Sequence, residues 1–138
     1  MALQQGATDA FQTGLMNGGY NFTSGSFKMA LYTGSATLGP STAVYTSTNE
    51  VVATGYTAGG IALPVSVTPT SSNNITYISF SNVTWYGSIT ARGALIYQSG
   101  GSNPTVCVLD FGSDKTSITS LTVQFPTANS SNAIIRIT

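Results

Sequence analysis

Phe27-Lys28-Met29-Ala30-Leu31-Tyr32 puts Phe27, Met29 and Leu31 on one side of an extended chain and Lys28, Ala30 and Tyr32 on the other. A period of two marks a strand, because successive side chains of an extended backbone leave on opposite faces. The alternation returns in Ile61, Leu63, Val65 and Val67 against Ala62, Pro64, Ser66 and Thr68. Pro64 has no N–H to offer a ladder, which predicts a sheet edge or a bulge there. Further strands are predicted at Asn74–Phe80, Ile89–Gln98, Thr105–Phe111, Ser117–Phe125 and Ala133–Ile137. The segments between them, such as Ser71-Ser72-Asn73-Asn74, Ser99-Gly100-Gly101-Ser102-Asn103-Pro104 and Ala128-Asn129-Ser130-Ser131-Asn132, are rich in turn residues. Many short strands joined by polar turns predict an all-β fold, an antiparallel β-sandwich of jelly-roll-like form.

Ahead of the strands, one segment reads with helical period. Thr8 is placed to cap Asp9-Ala10-Phe11-Gln12-Thr13-Gly14-Leu15-Met16-Asn17, Phe11 and Leu15 lie one turn apart, and Gly18-Gly19 supplies a stop. Gly14 costs such a helix about 1 kcal/mol relative to Ala, so it needs something to dock against. The stretch from Gly34 to Gly60 has no clear period and predicts a long excursion over the sheet. The organisation expected is an N-terminal arm and short helix over residues 1–20 and a single β-domain over 21–138, a natural length for one core.

Composition sets the function classes. Four basic and four acidic residues give zero net charge, and there is no histidine. Such a chain has no field to draw it to nucleic acid or to an anionic membrane, so neither is expected as a partner. It also lacks the residue most used to carry protons near neutrality, which speaks against an enzyme. Little charge leaves a small domain poorly protected from association, so its working state is expected to be assembled. Cys107, the only cysteine, sits in Val106-Cys107-Val108-Leu109 and reads as a buried small hydrophobe. Met1-Ala2-Leu3-Gln4-Gln5 has no signal-peptide character, so the chain is expected to be made in a cytoplasm and to stay soluble.

The remaining candidates for chemistry are few. Asp110-Phe111-Gly112 matches a kinase tripeptide without its companion motifs, and Asp110 with Asp114 makes at most half of a calcium site. The simpler expectation is that Asp110 ends a strand, that Phe111-Gly112-Ser113-Asp114-Lys115 turns, and that Asp110 pairs with Arg92 or Arg136. No catalytic residue, metal ligand or cofactor is therefore expected. Glu50 is the sole glutamate, and Trp85-Tyr86 reads as core, as an interface anchor or as a platform for a sugar ring.

Taken in order, Phe27-Lys28-Met29-Ala30-Leu31-Tyr32-Thr33, Thr46-Ser47-Thr48-Asn49-Glu50-Val51, Gly55-Tyr56-Thr57-Ala58-Gly59-Gly60, Ala91-Arg92-Gly93-Ala94-Leu95-Ile96-Tyr97, Val108-Leu109-Asp110-Phe111-Gly112-Ser113-Asp114-Lys115 and Ala133-Ile134-Ile135-Arg136-Ile137 resemble a family of small virion structural proteins of tailed bacteriophages. The resemblance implies a non-enzymatic component of the virion present in many copies. The shell-bound form is a capsid decoration or cement protein that binds the major capsid protein and its own copies. The alternative is a tail-associated or fibre module that adsorbs to host-surface carbohydrate. Fibres more often show repeats and elongated shafts, which this chain lacks, so decoration is the leading expectation. The residues expected at the contact are Phe11, Leu15 and Met16 of the arm and helix, and the loop from Tyr45 to Tyr56, with Tyr45, Glu50 and Tyr56 foremost.

Overall fold

A computed structural model describes residues 3–125, 129 and 135–137. The elements in chain order are β1 (Gly6–Ala7), α1 (Asp9–Asn17), β2 (Phe27–Tyr32), β3 (Ile61–Ala62), β4 (Val65–Ser72), β5 (Ile75–Phe80), β6 (Val83–Tyr86), β7 (Thr90–Gln98), β8 (Thr105–Thr116), β9 (Ser120–Val123) and β10 (Ile135–Ile137). Strands run β1-β8-β7-β2-β3 in one sheet, β10-β5-β4 in a second and β6-β9 in a two-stranded ribbon. Each of these ladders is antiparallel, so the fold is all-β with one short helix.

The five-stranded sheet is buried on both faces, and the alternation in β2 shows how. Phe27, Met29 and Leu31 join Ile96, Val106, Phe80, Val83 and Trp85 in the larger core. Ala30 and Tyr32 turn the other way, into a smaller core with Leu3, Leu38, Leu95, Tyr97 and Val108. An expectation of one polar and one apolar face would fit β2 poorly, since five of its six residues are buried. Residues from β5, β6 and β9 meet the central sheet only through the larger core.

The strand expected over Ile61–Val67 divides at Leu63-Pro64. The Leu63 N–H still donates to Phe27 C=O at 2.8 Å, next to β2, whereas Pro64 C=O accepts from Ser81 N–H at 2.9 Å, next to β5. The chain therefore leaves one sheet for the other where proline has no ladder bond to lose. β4 then turns into β5 through Asn73-Asn74, whose φ values of +54 and +63 suit a two-residue hairpin turn.

Two expected boundaries move. β8 does not end at Phe111 but runs to Thr116, because Ala91 and Thr90 of β7 pair with Lys115 and Thr116. Residues 111–114 are not a turn between strands but a bulge within β8 set against Arg92 alone, with Gly112 at φ +84. The strand expected over Ser117–Phe125 is shorter, Ser120–Val123, and Ser117 instead caps a crossing by donating to Gly87 C=O at 2.7 Å and accepting from Ile89 N–H at 3.0 Å. β6 is an additional strand at Trp85-Tyr86. Of the expected Ala133–Ile137 strand, Ile135–Ile137 is β10 and pairs with β5; residues 133 and 134 and most of the 128–132 turn lie outside the described residues.

The helix spans Asp9–Asn17 with Thr8 as its cap, the hydroxyl accepting from Phe11 N–H at 3.2 Å, and Gly18 closes it in left-handed conformation. Gly14 has a packing reason: a Cβ there would collide with the ring of Tyr20. That ring lies edge-on to Phe11, centroids 5.1 Å apart, and its hydroxyl donates to Thr105 C=O at 2.6 Å. The segment expected to be an arm is thus woven into the domain, with β1 on the edge of β8 and Phe11 in the larger core.

Candidate functional site

Glu50 is the most unusual placement in the structure, a carboxylate only 7% exposed. The excursion brings it there by returning to β2: Thr33 N–H donates to Asn49 C=O at 3.0 Å and Val51 N–H to Leu31 C=O at 3.0 Å, with Tyr32 and Glu50 bridged. Asn49 makes the necessary bend at φ +61, a conformation Asn tolerates.

A buried carboxylate needs donors. Tyr45 OH donates to Oε1 at 2.5 Å, Tyr56 OH donates to Oε2, and Gly59 N–H donates to Oε2 at 2.8 Å. Tyr56 oxygen also accepts Leu31 N–H at 2.9 Å, which ties the loop to the sheet through one hydroxyl. Tyr97 OH donates to Gly59 C=O at 2.5 Å, Tyr32 OH to Thr46 C=O at 2.6 Å, and the Tyr45 and Tyr97 rings stack at 4.9 Å. Burial first, with the adjacent Glu50 charge, pushes the Tyr32 hydroxyl well above its ordinary range. Burial and the hydrogen bond to Glu50 do the same for Tyr45 and Tyr56. The cluster holds protons firmly on tyrosine, and its carboxylate is spent on the fold.

The second charged feature is the β8 bulge. Arg92 Nε donates to Asp110 Oδ1 at 3.0 Å, the pairing expected from sequence, and Gly112 N–H donates to the same oxygen at 2.9 Å. Those two bonds, the Gly112 one first, hold the Asp110 carboxyl below its usual range. The pair is part-exposed, so it shapes the bulge more than it stabilises the fold. The side chain of Arg136, the other expected partner, lies outside the described residues. Among the described residues no three of His, Cys, Asp and Glu gather around a possible metal position. Cys107 is buried, and burial pushes its thiol up to about 12.

The six expected contact residues divide cleanly. Phe11, Glu50 and Tyr56 are buried inside the chain, where they hold the helix and the excursion in place. Tyr45 is half-buried over Tyr97. Leu15 and Met16 reach the surface, Met16 almost completely. Trp85 is core, packed near Tyr56, and its indole N–H has no protein partner; Tyr86, next to it, is exposed. Val52, almost fully exposed, lies within the Tyr45–Tyr56 loop expected at the contact, whereas Ile118, another large apolar side chain left in water, was not singled out.

An apolar groove of about 470 Å³ lies between β8 and β9, walled by Leu109, Phe111, Leu121 and Phe125, with Asp110 and Lys115 beside them. A smaller one, about 170 Å³, runs between the helix and the β4-β5-β10 sheet, walled by Leu15, Pro69, Tyr77 and Ile135. No family model, no curated protein and no solved structure matches this chain.

Proposed function

We propose that this chain is a non-enzymatic structural protein of a tailed-phage virion, a decoration or cement protein that binds the assembled shell through the major capsid protein and its own copies. The observation that carries the reading is the surface: Met16, Val52, Ile118 and Tyr86 stand at 91, 97, 86 and 75% exposure on a chain of zero net charge. Large apolar side chains left in water are a cost that contact with a larger body removes. The sequence blocks that resemble phage structural proteins supply the identity of that body.

The finer form of the fold belongs to the same proposal. A β-sandwich is supported by the larger core, which residues of the five-stranded sheet share with β5, β6 and β9. The central sheet sets β2 beside β7, strands far apart in the chain, a crossover that supports the jelly-roll-like form over a simple meander.

A protein that binds only the assembled shell stabilises it by mass action. Quantitative mass spectrometry of purified particles tests this reading. Copies in a fixed ratio to the major capsid protein support it, and copies in a ratio set by the tail would favour the second reading. That second reading, a tail-associated adsorption module, is favoured by the Tyr86 ring standing exposed beside Thr84, Ser120 and Thr122. An array of neutral glycans tests it, with binding lost in Tyr86→Ala as the supporting result.

A further inference from the structure

A cleft of about 560 Å³ lies between α1 and the turn at residues 39–43. Asp9, Thr13 and Asn17 line it from successive turns of the helix, with Tyr20 just beyond them; Pro40 and Ser41 of the turn and Pro104 ahead of β8 contribute the rest of its wall. These segments are fixed to one another. Asp9 N–H donates to Pro40 C=O at 2.8 Å, Thr105 N–H to Ala43 C=O at 3.0 Å and Tyr20 OH to Thr105 C=O at 2.6 Å. The turn also closes on itself, Gly39 N–H donating to Thr42 Oγ1 at 2.9 Å and Thr42 N–H to Gly39 C=O at 3.0 Å. Within that frame the carboxylate of Asp9, the hydroxyls of Thr13 and Ser41 and the amide of Asn17 have no hydrogen-bond partner among the described residues.

We propose that this cleft binds a neutral oligosaccharide. A sugar ring carries hydroxyls around its rim and C–H groups on its faces, so it is held by uncommitted donors and acceptors set beside apolar surface. Asp9, Thr13, Asn17 and Ser41 supply the first, and Tyr20, Pro40 and Pro104 the second. Helix residues four apart stand about 5–6 Å from one another, so Asp9, Thr13 and Asn17 form a row that follows successive hydroxyls. The volume falls among small-molecule sites, about 300–1,000 Å³, and walls already tied together leave little ordering cost to binding. Asp9 is the one charged residue of the wall, which disfavours a phosphate, a sulfate or an acidic sugar. An apolar segment of another protein is a poorer occupant, because it would bury the four polar groups without partners. The cleft stands on other elements than Tyr86, and the proposal goes beyond the shell-binding reading without depending on it.

NMR chemical-shift titration of the isotope-labelled chain with neutral hexose and N-acetylhexosamine oligosaccharides, up to about 10 mM, tests the proposal. The expected result is saturable shifts centred on the amides of residues 9–20 and 39–43, with affinity lowered about tenfold or more by Asp9→Asn and about three- to tenfold by Asn17→Ala. Both side chains are exposed and unbonded, so circular dichroism should show both variants folded. Absence of saturable binding, affinity left unchanged by both substitutions, or a sialylated sugar bound more tightly than its neutral counterpart would overturn it. So would binding lost in Tyr86→Ala, which places the sugar on the β6–β9 ribbon instead. Particle copy number is measured separately, so this cleft and the virion reading can fail independently.

Discussion

Two irregular segments pack on the central sheet and join each other, Gln4 N–H donating to Leu38 C=O at 2.9 Å and Asp9 N–H to Pro40 C=O at 2.8 Å, but the far parts of the two are held by different physics. The N-terminal segment passes β8, with Leu3 in the smaller core and Phe11 in the larger. The 33–60 excursion passes β2, with Leu38 and Tyr45 against the smaller core and Val51 and Tyr56 in the larger. The first is anchored by aromatic packing around Phe11 and by uncharged bonds at Thr8, which is fully buried and accepts from Thr105 Oγ1 at 2.9 Å. The second is held over residues 38–45 by backbone bonds to the first segment and to the start of β8, and over residues 45–59 by one ionisable group, Glu50, with donors gathered from three places in the loop. The difference teaches that a chain with few charges can afford a buried carboxylate only where tyrosine hydroxyls and backbone N–H groups surround it.

The largest effect expected is from Phe11→Ala, which removes a ring packed against Tyr20 and Phe22 and should cost about 3–5 kcal/mol in urea unfolding. Glu50→Gln keeps the volume but leaves one acceptor where two stood: with its amide oxygen toward Tyr56 OH and Gly59 N–H, its NH2 faces the hydroxyl that Tyr45 donates, and the change should cost about 1–3 kcal/mol. If Glu50→Gln proved neutral, the contrast between the two anchors would collapse. Thr8→Ala should cost about 1–2 kcal/mol, since it removes a helix cap and one of the two acceptors beside the Thr105 hydroxyl, the other being Thr42 C=O.

The polar anchor also predicts a pH dependence with a definite sign. The hydroxyls of Tyr32, Tyr45 and Tyr56 are raised in the fold, so their neutral forms favour folding. Their contribution is complete below the unfolded tyrosine range near 10 and is lost as the pH climbs above it. Absorbance at 295 nm should show these three ionising only together with alkaline unfolding, and independent early titration of all seven tyrosines would contradict the cluster. The smallest effect concerns Cys107, which should resist a thiol reagent at pH 8.5 until the chain is denatured.

Much of this was legible in the sequence where the signal is local. Thr8, Phe11 and Gly18 specify the helix within one stretch, and the period of two in β2 and β7 specifies strands. The bulge in β8 was not legible, because continuation past Gly112 depends on which residues of β7 lie opposite. β6 was missed because four residues holding Trp85 and Tyr86 carry little period of their own. Tyr45, Glu50 and Tyr56 were singled out as a group, but the sequence gives no direction, and as a surface contact only Tyr45 retains any exposure worth the name. Glu50 faces inward because the bend at Asn49 returns the chain to β2, a pairing set by tertiary structure.

The most direct measurement is to titrate the purified chain onto particles that lack it and count bound copies at saturation. The account predicts saturable binding in a fixed ratio to the major capsid protein, with the loaded particles surviving higher temperature than the bare ones. Absence of binding, or loading that leaves thermal survival unchanged, would contradict it.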